Sequence, residues 1–312
     1  MANSSKILEH ILLKAPPSKE AIVYQFLVPN EKGMDNLLSM YNKQPSPPQP
    51  QNAPPTSSSS PDFDRGPDLS TSQSSDDLPT SADLHDSNSR PGSTFEQAKP
   101  EIEVSIFTAA TETFTQKNTN CSITESLERF KPVFQKSKEN NLKVRAYISV
   151  ALGCPYEGPD VDPKKVAELA VNLLEMGSDE ISVADTTGMG TAPRTRELLR
   201  TLAAAGIESK DLALHFHDTF GQALVNTVVG LEAGVRTFDC AVAGLGGCPY
   251  SPGATGNVAS EDLVYLFENL GLRTGVDLVK LAEIGEWITK EVGKPNESHA
   301  GKATLARLRR DR

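Results

Sequence analysis

No run of apolar residues in this chain approaches the roughly 18 needed to cross a bilayer, so no membrane span is expected. Cysteines are few: Cys121, Cys154, Cys240 and Cys248, with no Cys-x-x-Cys pair among them. That usage argues against a disulfide framework, and free thiols are expected. Basic residues are outnumbered, with 31 lysines and arginines against 41 aspartates and glutamates, for a net charge of −10. A broad basic surface for nucleic acid is thereby excluded, while a local pocket for a phosphorylated small molecule is not. The hydrophobic fraction, 38% of 312 residues, is low for an enzyme-sized chain, and its 22 prolines are many. Part of the chain is therefore expected not to pack. The opening Met1–His10 lacks arginine and contains Glu9, so it reads neither as a signal peptide nor as a mitochondrial presequence.

The segment with little core-forming capacity is localised. Residues 44–93 open Gln-Pro-Ser-Pro-Pro-Gln-Pro, continue through Ser57–Ser60, and scatter aspartates at 62, 64, 68, 76, 77, 83 and 86. Such a stretch buries too little apolar surface to offset its ordering entropy, and it is expected to be a disordered insertion. It is read as a loop expansion, with a phosphorylated or partner-binding segment as the alternative.

Elsewhere the pattern is regular. Strand-like runs occur at 22–28, 104–107, 144–150, 180–183, 212–216 and 237–242. Helical stretches lie at 4–13, 31–41, 122–140, 162–176, 193–205 and 219–233. Ser122 followed by Glu125 makes a capping box, and Gly177 and Gly234 mark helix ends. Strands alternating with helices are the pattern of βα units on a parallel sheet. The expected fold is α/β, a parallel (β/α)8 TIM-type barrel that is incomplete, with about six βα units. Residues 1–43 and 94–294 make up the barrel, and 295–312 read as a basic tail.

Three short motifs carry candidate chemistry. In Leu212-Ala-Leu-His-Phe-His-Asp218, His215 and His217 are two apart on a strand, so both point to one face near its C-terminal end. Two imidazoles there make half of a metal site; the alternative is a hydrogen-bonded pair in a core. The loop from Ala243 to Asn257 holds five glycines, Cys248 and Asn257. Cys248 there is a candidate acid, base or nucleophile, and Asn257 can offer an amide oxygen to a hard cation. The competing reading is a flexible loop with an incidental cysteine. Asp185, in Glu180-Ile-Ser-Val-Ala-Asp-Thr-Thr-Gly188, falls at a strand's C-terminal end. It could orient substrate beside the histidines, or cap the next helix. Cys121, Cys154 and Cys240 read as packing residues, and Arg145 as a member of a structural ion pair.

The runs His-Phe-His-Asp-Thr from 215, Ala-Asp-Thr-Thr-Gly from 184 and Gly-Leu-Gly-Gly-Cys-Pro-Tyr from 244 together resemble the 3-hydroxy-3-methylglutaryl-CoA lyase family. Leu152-Gly-Cys-Pro-Tyr-Glu-Gly158 and Ala259-Ser-Glu-Asp-Leu-Val-Tyr265 extend the resemblance, which covers 1–41 and 101–294. His-x-His is shared with synthases that condense acetyl-CoA with 2-oxo acids; the cysteine-bearing glycine loop favours the lyases. The resemblance implies cleavage of 3-hydroxy-3-methylglutaryl-CoA to acetyl-CoA and acetoacetate, in leucine breakdown and ketone-body formation. It implies Mg²⁺ or Mn²⁺ held by His215, His217 and Asn257, with Cys248, His215 and Asp185 as catalytic groups. It also implies an acyl-CoA substrate, a homodimer, and a mitochondrial location, with peroxisomal or cytoplasmic alternatives. The family's Arg-Asp pair on its first strand and a glutamate on its second have no counterpart here. From that departure the chain is expected to be weakly active or inactive, or to act as a regulatory relative.

Overall fold

A computed structural model of the chain describes residues 4–14, 22–43, 100–247 and 256–311. The expected insertion, residues 44–93, lies outside the described residues. The segments before and after residues 45–99 fold into one compact unit. In chain order the elements begin with α1 (Ser4–Lys14), β1 (Val23–Leu27), α2 (Glu31–Tyr41) and β2 (Glu101–Ala109). There follow α3 (Glu112–Thr119), α4 (Ile123–Glu139), β3 (Val144–Ser149), α5 (Pro163–Glu175), β4 (Glu180–Asp185) and α6 (Ala192–Ala204). The last are β5 (Leu212–Phe216), α7 (Ala223–Glu232), β6 (Thr237–Asp239), α8 (Ser260–Asn269), α9 (Leu278–Val292) and α10 (His299–Arg310). Among the described residues the six strands are all parallel and pair in sequential order, β1 to β6. This is the incomplete TIM-type barrel that the strand–helix alternation predicts.

The strands alternate because the two faces of the sheet do different work. Ile102, Val104, Ile106, Ala146, Ile148, Ile181, Val183, Leu214 and Phe216 occupy one set of register positions, are buried, and meet the helices. The other set carries Gln25, Glu103, Ser105, Arg145, Tyr147, Glu180, Ser182, His215 and Asp239, so the opposite, barrel-interior face is polar. The helices cover the apolar face with stripes such as Val166, Ala167, Leu169, Ala170 and Leu173 of α5. Local signals set their starts. Ser122 Oγ accepts from Glu125 N, and the Glu125 side chain accepts from Ser122 N, completing the capping box of α4. Asp162 accepts from Lys164 N ahead of Pro163 in α5.

Residues 295–312 are not a tail. Most of this segment is α10, which packs on α8 and α9 and buries Leu305. Ser298 Oγ accepts from Gly301 N and donates to Asp262 Oδ1 at 2.7 Å. Asp262 also accepts from Ala300 N at 2.7 Å. Arginines crowding the last turn of α10 hide its narrow apolar stripe from a compositional reading, and they complement the helix dipole there.

Candidate active site

β5 carries His215 on the polar face, and the chain leaves the strand through His217, which bridges Asn257 in an antiparallel pair. The two imidazole centroids stand 5.2 Å apart at an interplanar angle of 45°. The spacing of two along the strand therefore does what the sequence predicts. The segment after the glycine loop runs alongside the ends of β5 and β6: Val258 N donates to Phe216 O, and Ala241 N donates to Val258 O. Asn257 is held in turn by its amide, whose Nδ2 donates to Leu245 O at 2.8 Å. This close approach requires glycine at 246, where φ is 102° and a Cβ would collide with Asn257 Nδ2. Cys248 lies outside the described residues.

The two histidines differ electrostatically. His217 is 6% exposed, and its Nδ1 has no hydrogen-bond partner. Burial, followed by the neighbouring His215, pushes its pKa down to about 4, so it is neutral at physiological pH. His215 Nδ1 lies 3.2 Å from Asp239 Oδ2. Asp239 also accepts from Ser182 Oγ and from Arg145 Nη1, each at 3.0 Å. Burial alone would raise the Asp239 pKa, but His215, Arg145 and Ser182 outweigh it and hold the carboxyl below its usual range. Tyr147 sets its ring edge against His215 and donates to Gln25 Oε1 at 3.2 Å. Burial pushes its phenol to about 12, so it stays protonated.

Arg145 pairs with Glu180 and Asp239 and lies 3.6 Å from Glu103 Oε1, which bears out its assignment to a structural ion pair. Three carboxylates thus surround one guanidinium on the same face as His215, and the excess charge there is negative. Sequence reasoning passed over Asp239, Ser182 and Tyr147. Their shared face with His215, fixed by the register of neighbouring strands, was the available signal.

Asp185 stands at the C-terminal end of its strand, as expected. Its register partner is Phe216 rather than His215, and the pleat turns it away from the histidines. It is fully buried, accepts from Gly190 N at 2.8 Å, and lies 3.5 Å from Thr187 Oγ1, which can donate to it. Burial raises its pKa to about 6 despite these partners. Asn226 Nδ2 donates to Gly190 O from α7, so Asp185 and Asn226 clamp the turn that leads into α6. Glu261, also fully buried, plays a similar part below the glycine loop, accepting from Ala243 N at 2.9 Å. Cys121 and Cys154 are buried as packing residues should be, whereas Cys240 is exposed and accepts from Ser260 Oγ. Cys240 is exposed because it leaves β6, whose outer edge has no neighbour among the described strands.

Among the described residues no three His, Cys, Asp or Glu side chains group closely enough to hold a metal ion. The donors brought together are two imidazoles, of which His217 is neutral, and one amide oxygen. They fit a cation in two respects. His217 Nδ1 is an orphaned buried nitrogen, and the Asn257 Nδ2 anchor leaves Oδ1 free to accept.

Residues 90–288 match the family described as HMGL-like. The chain is 49% identical over 230 residues to a 3-hydroxy-3-isohexenylglutaryl-CoA/hydroxymethylglutaryl-CoA lyase of Pseudomonas aeruginosa, covering 70% of this chain and 76% of that protein. It is 52% identical over 202 residues to a mitochondrial hydroxymethylglutaryl-CoA lyase of Rattus norvegicus, covering 65% of this chain and 62% of the rat protein. A crystal structure of a hydroxymethylglutaryl-CoA lyase from Pseudomonas aeruginosa superposes with a TM-score of 0.74 at 38% identity, covering 98% of this chain and 80% of that one.

Proposed function

Because the chain belongs to the HMGL-like family, we propose that it cleaves 3-hydroxy-3-methylglutaryl-CoA to acetyl-CoA and acetoacetate. The observation that carries this reading is about 50% identity to enzymes named for that reaction. The convergence of His215, His217 and Asn257 at one end of the barrel supports it.

In this proposal His215, His217 and Asn257 hold a divalent cation, Mg²⁺ or Mn²⁺. Neutral nitrogen and amide donors leave a hard dication in want of anionic oxygen, which the substrate's carboxylate can provide. When bound, the cation would draw charge from the substrate's hydroxyl and carboxylate oxygens and ease loss of the hydroxyl proton. The excess negative charge around Arg145 favours a cation on this face. His215 was expected to serve both as ligand and in catalysis. Asp239 engages its Nδ1, so one nitrogen remains, and we assign that nitrogen to the cation.

Cleavage releases the hydroxyl proton to water, breaks the bond between the carbinol carbon and the thioester's α-carbon, and leaves the electron pair on the latter. Cys248 is proposed to return a proton there, giving acetyl-CoA, and the thiolate then regains from water the proton that the hydroxyl released. Asp185 is proposed to shape the turn into α6 rather than to touch substrate. An acyl-CoA substrate, a homodimer and a mitochondrial location complete the proposal, the last supported by the name of the rat relative.

The test offers the protein, with Mn²⁺, either 3-hydroxy-3-methylglutaryl-CoA or acetyl-CoA plus 2-oxo acids. Equal amounts of acetyl-CoA and acetoacetate from the first are expected. Free CoA released only from the second pair would replace the lyase reading with a condensing synthase.

A further inference from the structure

Among the described residues, Asp239 is the one carboxylate hydrogen-bonded to the histidine pair, and its other partners leave it little freedom. Oδ1 takes the Arg145 guanidinium at 3.0 Å. Oδ2 takes the Ser182 hydroxyl at 3.0 Å and faces His215 Nδ1 at 3.2 Å. A carboxylate beside a guanidinium is ionised and can only accept. The proton between Asp239 and His215 must then sit on the imidazole. β5 and β6 fix this geometry, because His215 and Asp239 are direct register partners across the last pair of strands. Tyr147, set edge-on at a centroid distance of 6.1 Å and nearly perpendicular, limits rotation of the same ring.

We propose that Asp239 is a positioning residue that locks His215 as the Nδ1–H tautomer, leaving Nε2 as the nitrogen with a free lone pair. This rests on the reading of His215 as a cation ligand, and it adds the group that makes the imidazole a ligand of fixed orientation. A ring nitrogen that carries a proton cannot bind a metal. Its partner nitrogen is made more basic when the first donates to a carboxylate. Asp239→Asn reverses this arrangement. The Arg145 guanidinium donates at the Oδ1 position, so the oxygen of the substituted amide goes there, and its NH₂ takes the Oδ2 position, facing His215 and the Ser182 hydroxyl, which can accept from it. The imidazole then has to accept at Nδ1 and carry its proton on Nε2, the wrong nitrogen for binding.

The test is a long-range ¹H–¹⁵N correlation spectrum of the metal-free protein, with the His215 signals assigned by their loss in His215→Gln. The expected result is a protonated Nδ1 and an unprotonated Nε2 in the wild type and in Ser182→Ala, and the reverse in Asp239→Asn. Mn²⁺ titrated into the same samples should bind about 10–100-fold more weakly to Asp239→Asn, the usual cost of losing a carboxylate behind a ligand histidine. A wild-type His215 protonated at Nε2 overturns the proposal. So does an Asp239→Asn protein with an unchanged tautomer. Should Asp239→Asn fail to fold, the wild-type and Ser182→Ala spectra still decide it. An Nδ1–H tautomer in a protein that binds no Mn²⁺ supports the positioning role and overturns the cation reading alone.

Discussion

Burying a neutral histidine makes stability depend on pH, and His217 provides a direct measure of the site's electrostatics. Its pKa falls from 6.5 in the unfolded chain to about 4 in the fold, chiefly through burial. Between those values the unfolded chain binds a proton that the folded one does not. Stability is therefore complete above pH 6.5 and lost as pH falls toward 4. At about 1.4 kcal/mol per pH unit the full loss is about 3 kcal/mol, of which about 2 kcal/mol is gone by pH 5. Asp185 acts in the opposite sense. Its carboxyl rises from 3.8 to about 6, so the cost of ionising it in the fold sets in as pH climbs through the same window. The two effects partly cancel in the wild type, and a raw pH profile cannot separate them. His217→Gln removes one of them. Urea unfolding of wild type and variant at pH 7.5, 6, 5 and 4 should show a stability gap that narrows by about 3 kcal/mol from the highest pH to the lowest. A gap that stays constant would refute the reasoning, because His217 would then be solvated or already paired.

Gly246→Ala places a methyl group against the Asn257 amide at a backbone angle that L-residues rarely adopt. A cost of about 1–3 kcal/mol is expected, read as an equal fall in unfolding free energy in urea, with weaker Mn²⁺ binding by calorimetry. Leu305→Ala should destabilise the chain by about 2–3 kcal/mol in denaturant, since α10 is part of the folded unit; an unchanged midpoint would return it to the status of a tail. Ser122→Ala removes the cap of α4 and should cost about 1 kcal/mol by the same measurement. Asp185→Asn should preserve substrate KM while shifting the pH dependence of unfolding, and a large rise in KM would restore Asp185 to substrate contact.

The barrel was legible because each βα unit announces itself locally. Ser122 with Glu125, Asp162 before Pro163, and Gly177 and Gly234 at positive φ set the helix ends within a residue or two. The helices that escaped notice are α3, α8, α9 and α10; α8 and α9 carry ordinary apolar stripes and were passed over, whereas the local signals of α3 and α10 are weak. α3 is eight residues of mostly polar side chains, and the arginines of α10 mask its buried Leu305. In the site, two histidines two apart on a strand could be read from spacing alone. Asp239 could not, because its partnership with His215 arises from the register between strands and joins residues 24 apart in sequence. Which of its two readings Asp185 takes depends on register in the same way. Its position at the strand end was correct, but a shift of one residue in a pleated strand reverses the face.

The most direct test of the central claim compares the protein purified from its source cells with His217→Ala, following acetoacetate release from 3-hydroxy-3-methylglutaryl-CoA in Mn²⁺ and again after EDTA. The predicted result is acetoacetate that needs both the cation and His217, with the variant still folded. Acetoacetate formed at the same rate by folded His217→Ala, or undiminished in EDTA, would contradict it.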